Sequence, residues 1–131
     1  MIKILHSVTD QLKRILNKDK IRFLDSSCGD MFWMPEFLSQ RPDVIFTGYD
    51  LTETNIEHNK EKHSNLGTFK VRRYLTLHIC FIFCILTQQH DLVTDKIEEA
   101  FDLILSRHTM IHLYNADVLR ILRNFKASGS R

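Results

Sequence analysis

Residues 21–50 read IRFLDSSCGD MFWMPEFLSQ RPDVIFTGYD, and this stretch decides the fold. A short apolar run at 21–24 leads into a loop of small and polar residues, and a second apolar run at 44–49 ends at Asp50. The segment between them, from Met31 onward, looks like the start of a helix. Strand, loop, helix and strand in this order predict a βαβ unit, because two parallel strands need a crossover connection.

Two positions in this unit predict a ligand site at one edge of the sheet. Gly29 has no β-carbon, so its backbone can approach a ligand closely. Asp50 ends the second strand, where a carboxylate can accept hydrogen bonds from both hydroxyls of a ribose. A right-handed crossover brings the loop after the first strand beside the carboxyl end of the second. Ligands of open α/β sheets bind at those carboxyl ends.

The same residues resemble a known family. Residues 23–30, together with Gly48-Tyr49-Asp50, look like the first two motifs of class I S-adenosylmethionine-dependent methyltransferases. The resemblance runs over roughly residues 5–70 and 89–131. It implies an α/β fold with a Rossmann-like parallel sheet of about four strands, in the order 3-2-1-4, and helices on both faces.

The loop departs from the family pattern at two positions. In the family it reads acid-x-Gly-x-Gly-x-Gly; here Asp25 matches the acid and Gly29 the central glycine. Ser27 replaces the first glycine, and Met31 replaces the last. Serine is small and changes little, whereas Met31 is expected to disturb the close packing of the helix on the loop.

The resemblance implies S-adenosylmethionine as the cofactor. The residues that it places around the cofactor are Asp25, Ser27, Cys28, Gly29 and Asp30 at the methionine end, Asp50 at the ribose, Asp91 with Leu92 at the adenine, and Ser106 at the end of the fourth strand.

The loop after the fourth strand faces the transferable methyl group in this architecture. Ser106, Arg107 and His108 are therefore candidates for its substrate side. His108 is the candidate catalytic base, because the unperturbed pKa of imidazole suits proton transfer. The alternative is that Arg107 and His108 are ordinary loop residues. The methyl acceptor itself is not readable from the sequence.

Two other functions compete with this interpretation. A dinucleotide site would need more bare backbone amides for a pyrophosphate than this loop offers, because Gly29 is the only glycine between Asp25 and Pro35. The other alternative is a non-catalytic α/β binding or scaffold module, which Met31 and the missing C-terminal strands favour.

Composition sets broader limits. The chain has 131 residues, of which 44% are hydrophobic and 26% charged, as expected for a single globular domain. Its net charge of +2 gives no argument for nucleic acid or an anionic membrane as a partner. Three cysteines without a secretory signal indicate a reducing compartment, and the cytoplasm is the expected location.

Apolar spacing predicts the remaining elements. The expected helices cover residues 5–16, 52–63 and 116–125, with a short helical turn at 95–99. The third strand is expected to begin at Thr68 and to end in Asp91, and the fourth to cover residues 101–106. Asp102, near the start of the fourth strand, is expected to have a structural role.

Residues 71–88 interrupt this pattern. Joining Lys70 to Gln89 would give an uninterrupted third strand, so 71–88 is predicted to be an in-frame insertion, such as a translated intron. The alternative is a genuine long strand with an apolar extension. The run 74–86 is shorter than the about 20 residues that a membrane-spanning helix needs. A metal site is disfavoured, because the spacing of His78, Cys80, Cys84 and His90 matches no common zinc pattern.

The family's sheet has seven strands, and by that resemblance this chain reaches only the approach to the fifth. The expectation is a fragment or splice product that lacks the C-terminal strands, with an exposed edge at strand four. Such a chain is expected to bind the cofactor weakly and to methylate nothing. It is also expected to self-associate through the exposed edge or through the apolar run 74–86.

Overall fold

A parallel sheet organises the computed structural model, which describes residues 1–73 and 90–130, except for the side chains of Arg73, His90 and Asp91. The strands are β1 (Ile21–Asp25), β2 (Val44–Asp50), β3 (Gly67–Arg73), β4 (His90–Asp91) and β5 (Leu103–Leu105). They lie in the order β4-β3-β2-β1-β5, and every neighbouring pair is parallel. The four main strands therefore have the predicted order 3-2-1-4, with the two-residue strand β4 added beside β3.

Helices cover both faces of the sheet, as predicted for an α/β fold. They are α1 (Ile2–Leu16), α2 (Met34–Ser39), α3 (Glu53–His63) and α4 (Asn115–Ala127), and a short 3₁₀ helix (Met110–His112) precedes α4. Leu5 of α1, Phe37 of α2 and Ile56 of α3 belong to one buried cluster. Ile121 and Phe125 of α4 belong to the cluster on the opposite face.

Four phenylalanine rings pack together on the face of the sheet that α1, α2 and α3 cover. Phe37, Phe23, Phe46 and Phe69 form a row of edge-to-face contacts with ring centroids 6.1, 5.7 and 6.0 Å apart. Edge-to-face geometry is a favourable arrangement for such pairs. Because these rings come from α2 and from three adjacent strands, they fix the positions of the strand ends that carry the polar residues.

The segment before α2 differs from the expectation. The helix begins at Met34, with Pro35 in its first turn, where a missing N–H costs nothing. Met31 has a φ of +59° and is buried, so it belongs to the loop. A residue in this left-handed conformation cannot start a right-handed helix.

Three other predicted boundaries change. The fourth strand is limited to 103–105, because the N–H of Arg22 donates to the Asp102 carboxylate at 3.0 Å and not to the backbone of the residue before Asp102. Residues 92–94 form a turn, and no helix covers 95–99, where a helical turn was expected. β3 continues through Val71 to Arg73, and Asp91 lies in the separate strand β4 and not at the end of β3.

Most of the predicted insertion, residues 74–88, lies outside the described residues, as do His78, Cys80 and Cys84. Residues 71–73 extend β3. Within the described ranges, none of the helices combines the length and the apolar character that crossing a membrane would require.

Candidate cofactor site

Acidic residues end three of the parallel strands. Asp25 ends β1, Asp50 ends β2 and Asp91 ends β4. Because the strands are parallel, these ends share one edge of the sheet, the carboxyl edge. This is where α/β folds bind ligands.

Gly29 and Asp50 are in direct contact at this edge. The backbone N–H of Gly29 donates to Asp50 Oδ2 at 2.9 Å. Asp50 Oδ1 accepts from the Thr52 N–H at 2.8 Å and from Asn55 Nδ2 at 3.4 Å. A carboxylate has about four acceptor positions, so three donors leave one for a ligand hydroxyl. A second ligand hydroxyl would replace the longest of these bonds, which is the one from Asn55.

The space above Gly29 is open. Its φ is +57°, and a β-carbon added here would meet no atom within 4 Å. The carbonyl oxygen of Gly29 accepts a hydrogen bond from Asn59 Nδ2 at 2.7 Å. The N–H and the carbonyl oxygen of Gly29 are therefore both hydrogen-bonded within the protein. A ligand can approach the bare α-carbon on its open side.

Asp25 lies beneath the loop and is almost fully buried. Burial raises its pKa from 3.8 to about 6, because the ionised form loses hydration, and the neighbouring charge of Asp50 adds to the increase. The hydrogen bond from the Ser27 N–H, at 3.1 Å, and the charge of Arg107 act in the opposite direction. The carboxylate is therefore mainly ionised at neutral pH and becomes neutral in mild acid.

Cys28 serves packing in this loop. Its side chain is buried against Gly48, where an added β-carbon would lie 3.0 Å from the Cys28 sulfur. Burial, and secondarily the nearby charges of Asp25 and Asp50, hold the pKa of its thiol far above the ordinary range, so the sulfur is not a nucleophile. A ligand would meet the backbone of this residue and not its thiol.

Asp30 lies at the outer rim of the loop. It is exposed, and its Oδ1 accepts the N–H of Phe32 at 3.1 Å. Phe32 is 89% exposed. The rim therefore combines an acid with a large apolar ring.

The end of β5 joins this loop through Ser27. Ser27 Oγ donates to the Arg107 carbonyl oxygen at 2.8 Å and accepts the Arg107 N–H at 3.2 Å. The buried Ser106 Oγ has no hydrogen-bond partner among the described residues, and a ligand could supply one. His108 is exposed and has a φ of +61°, so it projects from a tight turn beside the loop.

Asp91 and Leu92 lie on the far side of the site. The side chain of Leu92 is only 1% exposed and belongs to the second core cluster, so its backbone alone could contact a ligand. Asn124 Nδ2 of α4 donates to the carbonyl oxygens of Leu92 and Val93 at 2.9 and 3.1 Å. Asn124 thus fixes the turn that follows Asp91.

Sequence reasoning missed three residues around the site, namely Asn59, Asn124 and Trp33. Asn59 is completely buried on α3, and a polar residue on the buried face of a helix signals a specific partner. Nothing in the local pattern shows that this partner is Gly29. Trp33 was assigned to the start of the helix, and the structure places its ring 5.0 Å from the guanidinium of Arg107.

A cleft of about 350 Å³ opens at the opposite, amino edge of the sheet. It is lined by Leu16, Lys18, Arg22, Ala100, Phe101, Asp102 and Gly129. Asp102 pairs there with Lys18 and accepts the N–H of Arg22 at 3.0 Å, which gives it the expected structural role of joining β1 to β5. Burial would raise the pKa of Asp102, but these bonds outweigh it and lower the pKa. The charges of this cleft are already paired, so the carboxyl edge is the better candidate site.

No protein-family model and no curated protein matches this sequence. Solved structures do match. A TehB-like S-adenosylmethionine-dependent methyltransferase from Corynebacterium glutamicum superposes with a TM-score of 0.56 at 22% identity over 87% of this chain and 52% of its own. The bifunctional kinase-methyltransferase WbdD gives a TM-score of 0.64 at 20% identity over 99% of this chain and 26% of its own.

The plantazolicin methyltransferase BpumL, solved with S-adenosylhomocysteine, gives a TM-score of 0.57 at 18% identity over 89% of this chain and 39% of its own. The chain thus spans about half the length of the TehB-like enzyme and less of the others. At these identities the likeness establishes a shared fold.

Proposed function

We propose that this chain, which has the Rossmann-like fold of S-adenosylmethionine-dependent methyltransferases, binds S-adenosylmethionine at its carboxyl edge and forms the cofactor-binding part of such an enzyme. The observation that carries the proposal is the 2.9 Å hydrogen bond between the Gly29 N–H and Asp50. It joins a close-approach glycine to a carboxylate that still has an acceptor position free.

Each part of the cofactor would have its own contacts. The ribose hydroxyls would donate to Asp50, and the loop 25–30 would hold the methionine end, with Asp25, Ser27, Cys28, Gly29 and Asp30. Asp91 and the backbone of Leu92 would contact the adenine, and Ser106 would complete the site from β5. The open space above Gly29 supports this arrangement.

The chain's own residues would act mainly by positioning. The sulfonium of S-adenosylmethionine supplies a methyl group that is already electrophilic. The protein has to hold the acceptor in line with that group at near-attack distance. The exposed His108, beside the loop, would accept a proton from an acceptor that needs deprotonation.

Calorimetry with S-adenosylhomocysteine and with NAD tests the proposal. Binding of S-adenosylhomocysteine alone supports it. Binding of NAD alone would reverse it in favour of a dinucleotide site.

A pair of acidic variants sharpens this test. Asp50→Ala should weaken S-adenosylhomocysteine binding by about tenfold or more, because hydrogen bonds to a charged group contribute about 1.5–3 kcal/mol. Asp19→Asn removes an exposed acid near the start of β1 and should leave the affinity unchanged. Equal affinities of the wild type and the Asp50 variant would contradict the proposed ribose contact.

A second candidate is a non-catalytic binding or scaffold module. Met31 favours it, because its buried side chain occupies the position where the family's loop has a glycine. Absence of binding with both ligands would support this alternative.

Two further proposals concern the whole chain. Residues 71–88 are proposed to be an in-frame insertion, and a transcript that joins the codons of Lys70 and Gln89 would support it. A reducing compartment such as the cytoplasm is proposed because Cys28 is a buried free thiol. Imaging of a tagged chain tests that location.

A further inference from the structure

Arg107 is held firmly at the junction of β5 and the glycine loop. Its backbone N–H and carbonyl group both bond to the hydroxyl of Ser27, at 3.2 and 2.8 Å. The residue is half-buried. Its side chain therefore starts from a fixed point, directly beside the end of β1.

The guanidinium of Arg107 lies on the ring of Trp33, 5.0 Å from its centroid. A guanidinium in this position is attracted by the electron-rich face of the ring, most strongly where water is excluded. Trp33 directly precedes α2, and its partly buried side chain packs against the first core cluster. The two side chains form an ordered pair at the carboxyl edge.

Among the described residues, none accepts a hydrogen bond from this guanidinium. Arg22 and Arg41, which are also packed into the fold, donate to carboxylates: Arg22 to Glu99 at 2.6 Å, and Arg41 to Asp43 and Asp10 at 2.8 and 2.7 Å. The buried Arg72 lies over the ring of Tyr49, and its Nε has no partner among the described residues. The side chain of Arg107 donates to none of the described residues, although it is half-buried. An arginine has five N–H donors in a planar fork that matches a carboxylate or a phosphate.

We propose that Arg107, held on Trp33, binds an oxyanion group, carboxylate or phosphate, of the methyl acceptor. This deepens the proposed function and rests on it, because the pair lies on the side of the site where the acceptor would enter. The exposed ring of Phe32, next in sequence to Trp33, would cover an apolar part of the same molecule.

Tryptophan fluorescence provides a direct test, because Trp33 is the only tryptophan in the chain. The whole chain, with and without saturating S-adenosylhomocysteine, is titrated with sodium phosphate and with sodium acetate at constant ionic strength, with sodium chloride as the reference salt. We expect a saturable change of emission with at least one oxyanion and none with chloride. A response to phosphate alone assigns a phosphate to the acceptor, and a response to acetate alone or to both assigns a carboxylate-compatible site.

Three variants identify the residue responsible. Arg107→Gln should abolish the saturable response, and Arg107→Lys, which keeps the charge but not the planar fork, should raise the half-saturating concentration about tenfold. Arg123→Gln removes an exposed arginine of α4 and should leave the response unchanged. Wild-type behaviour of both Arg107 variants, or the absence of any saturable response in the wild type, would overturn the proposal.

The two proposals fail separately. Binding of S-adenosylhomocysteine without a response to oxyanions removes the assignment of Arg107 and leaves the cofactor site. A response to oxyanions that Arg107→Gln abolishes, in a chain that binds no S-adenosylhomocysteine, establishes the anion site and removes the proposed methyltransferase function.

Discussion

At the scale of single residues, Met31 shows how a departure from a sequence motif is accommodated. A methionine in place of a small residue was expected to disturb packing, yet Met31 is only 2% exposed. Its left-handed backbone costs about 1–2 kcal/mol, whereas burying a methionine side chain contributes about 1.5–3 kcal/mol. The burial of the Met31 side chain therefore offsets the strain of its backbone. The loop keeps its conformation, and α2 begins three residues later than expected.

The bare α-carbon of Gly29 leads to the first residue-scale prediction. Gly29→Ala should lower stability by only about 1 kcal/mol, since the cost is that of a positive φ in otherwise open space. The new methyl group would project into the space proposed for the cofactor, so affinity for S-adenosylhomocysteine should fall at least about tenfold, which corresponds to about 1.4 kcal/mol. Urea unfolding and calorimetry measure the two effects.

Gly129 offers the matched control for this substitution. It has a φ of +81°, and an added β-carbon would lie at an ordinary 3.6 Å from Ala100, far from the carboxyl edge. Gly129→Ala should cost similar stability and leave the affinity unchanged. Equal loss of affinity in both variants would mean that Gly29 acts through stability alone.

Asp25 leads to a prediction about pH. Because the folded state raises the pKa of this carboxyl from 3.8 to about 6, the folded protein binds the proton more tightly than the unfolded chain does. The stability contributed by Asp25 is therefore complete below pH 3.8 and is lost as the pH rises through about 6. Asp25→Asn lacks this loss, so its stability relative to the wild type should increase by about 3 kcal/mol between these limits, at about 1.4 kcal/mol per pKa unit.

Urea unfolding of the two proteins from pH 4 to 8 checks this difference. Other carboxyl groups, such as Asp43 and Glu99, have lowered pKa values and act in the opposite direction, but they are common to both proteins. A stability difference that is independent of pH would contradict the assignment to Asp25.

At the scale of elements, α3 supports both halves of the candidate site. Asn55 and Asn59 are one helical turn apart and therefore lie on the same face. Asn55 donates to the Asp50 carboxylate at 3.4 Å, and Asn59 donates to the Gly29 carbonyl at 2.7 Å. The helix after the second strand thus sets the distance between the glycine and the acid.

This arrangement predicts unequal effects of two asparagine substitutions. Asn59→Ala leaves the Gly29 carbonyl without its donor and should cost about 1–3 kcal/mol of stability, together with a loss of cofactor affinity. Asn55→Ala removes a longer, less buried bond and should change both quantities less. A core variant with the same loss of stability, such as Ile56→Val, serves as the control, and its urea midpoint shows whether the loss is matched. This variant should keep the cofactor affinity that Asn59→Ala loses, which separates the effect on affinity from the effect on stability.

The elements also show what can be predicted from the sequence. β1 and β2 follow directly from apolar runs, whereas the order of the sheet was expected from the family resemblance. The starts of α2 and β5 do not follow, because each depends on a contact that is distant in sequence or on an unusual backbone angle. For β5 that contact is the pairing of Asp102 with Lys18 and with the N–H of Arg22.

The contacts of the candidate site also divide into those that the sequence predicts and those that it does not. The contact of Gly29 with Asp50 was predictable, because it depends on the order of elements in one βαβ unit. The roles of Asn59, Asn124 and Trp33 were not, because their partners lie on other elements. Local periodicity indicates which face of a helix is buried, but it does not indicate which backbone group that face contacts.

At the scale of the whole molecule, one side of the sheet is open. Among the described residues β5 is the outermost strand beyond β1, and its three residues are half-buried. Leu119 and Leu122 of α4 are also exposed. An open strand edge is a template for pairing with another chain.

We therefore predict reversible self-association. Sedimentation velocity at rising protein concentration should show a mass that increases above the 15.5 kDa of the monomer. If the strand edge is responsible, the double variant Leu119→Ser, Leu122→Ser should associate as the wild type does; if α4 is responsible, it should stay monomeric. A monomer at every concentration would contradict both routes.

Helix α3 buries few of its side chains, and this has a consequence for the detection of ligands. Of its eleven residues, only Ile56 and Asn59 are buried, so few buried side chains hold the helix against the sheet. A segment with so few buried contacts opens readily, and its backbone protons exchange with solvent. Any molecule that binds at Gly29 and Asp50 would stabilise the packing of α3, because Asn55 and Asn59 of this helix contact these two residues. Deuterium uptake across α3 would then slow, which gives a screen for natural ligands that requires no knowledge of the reaction.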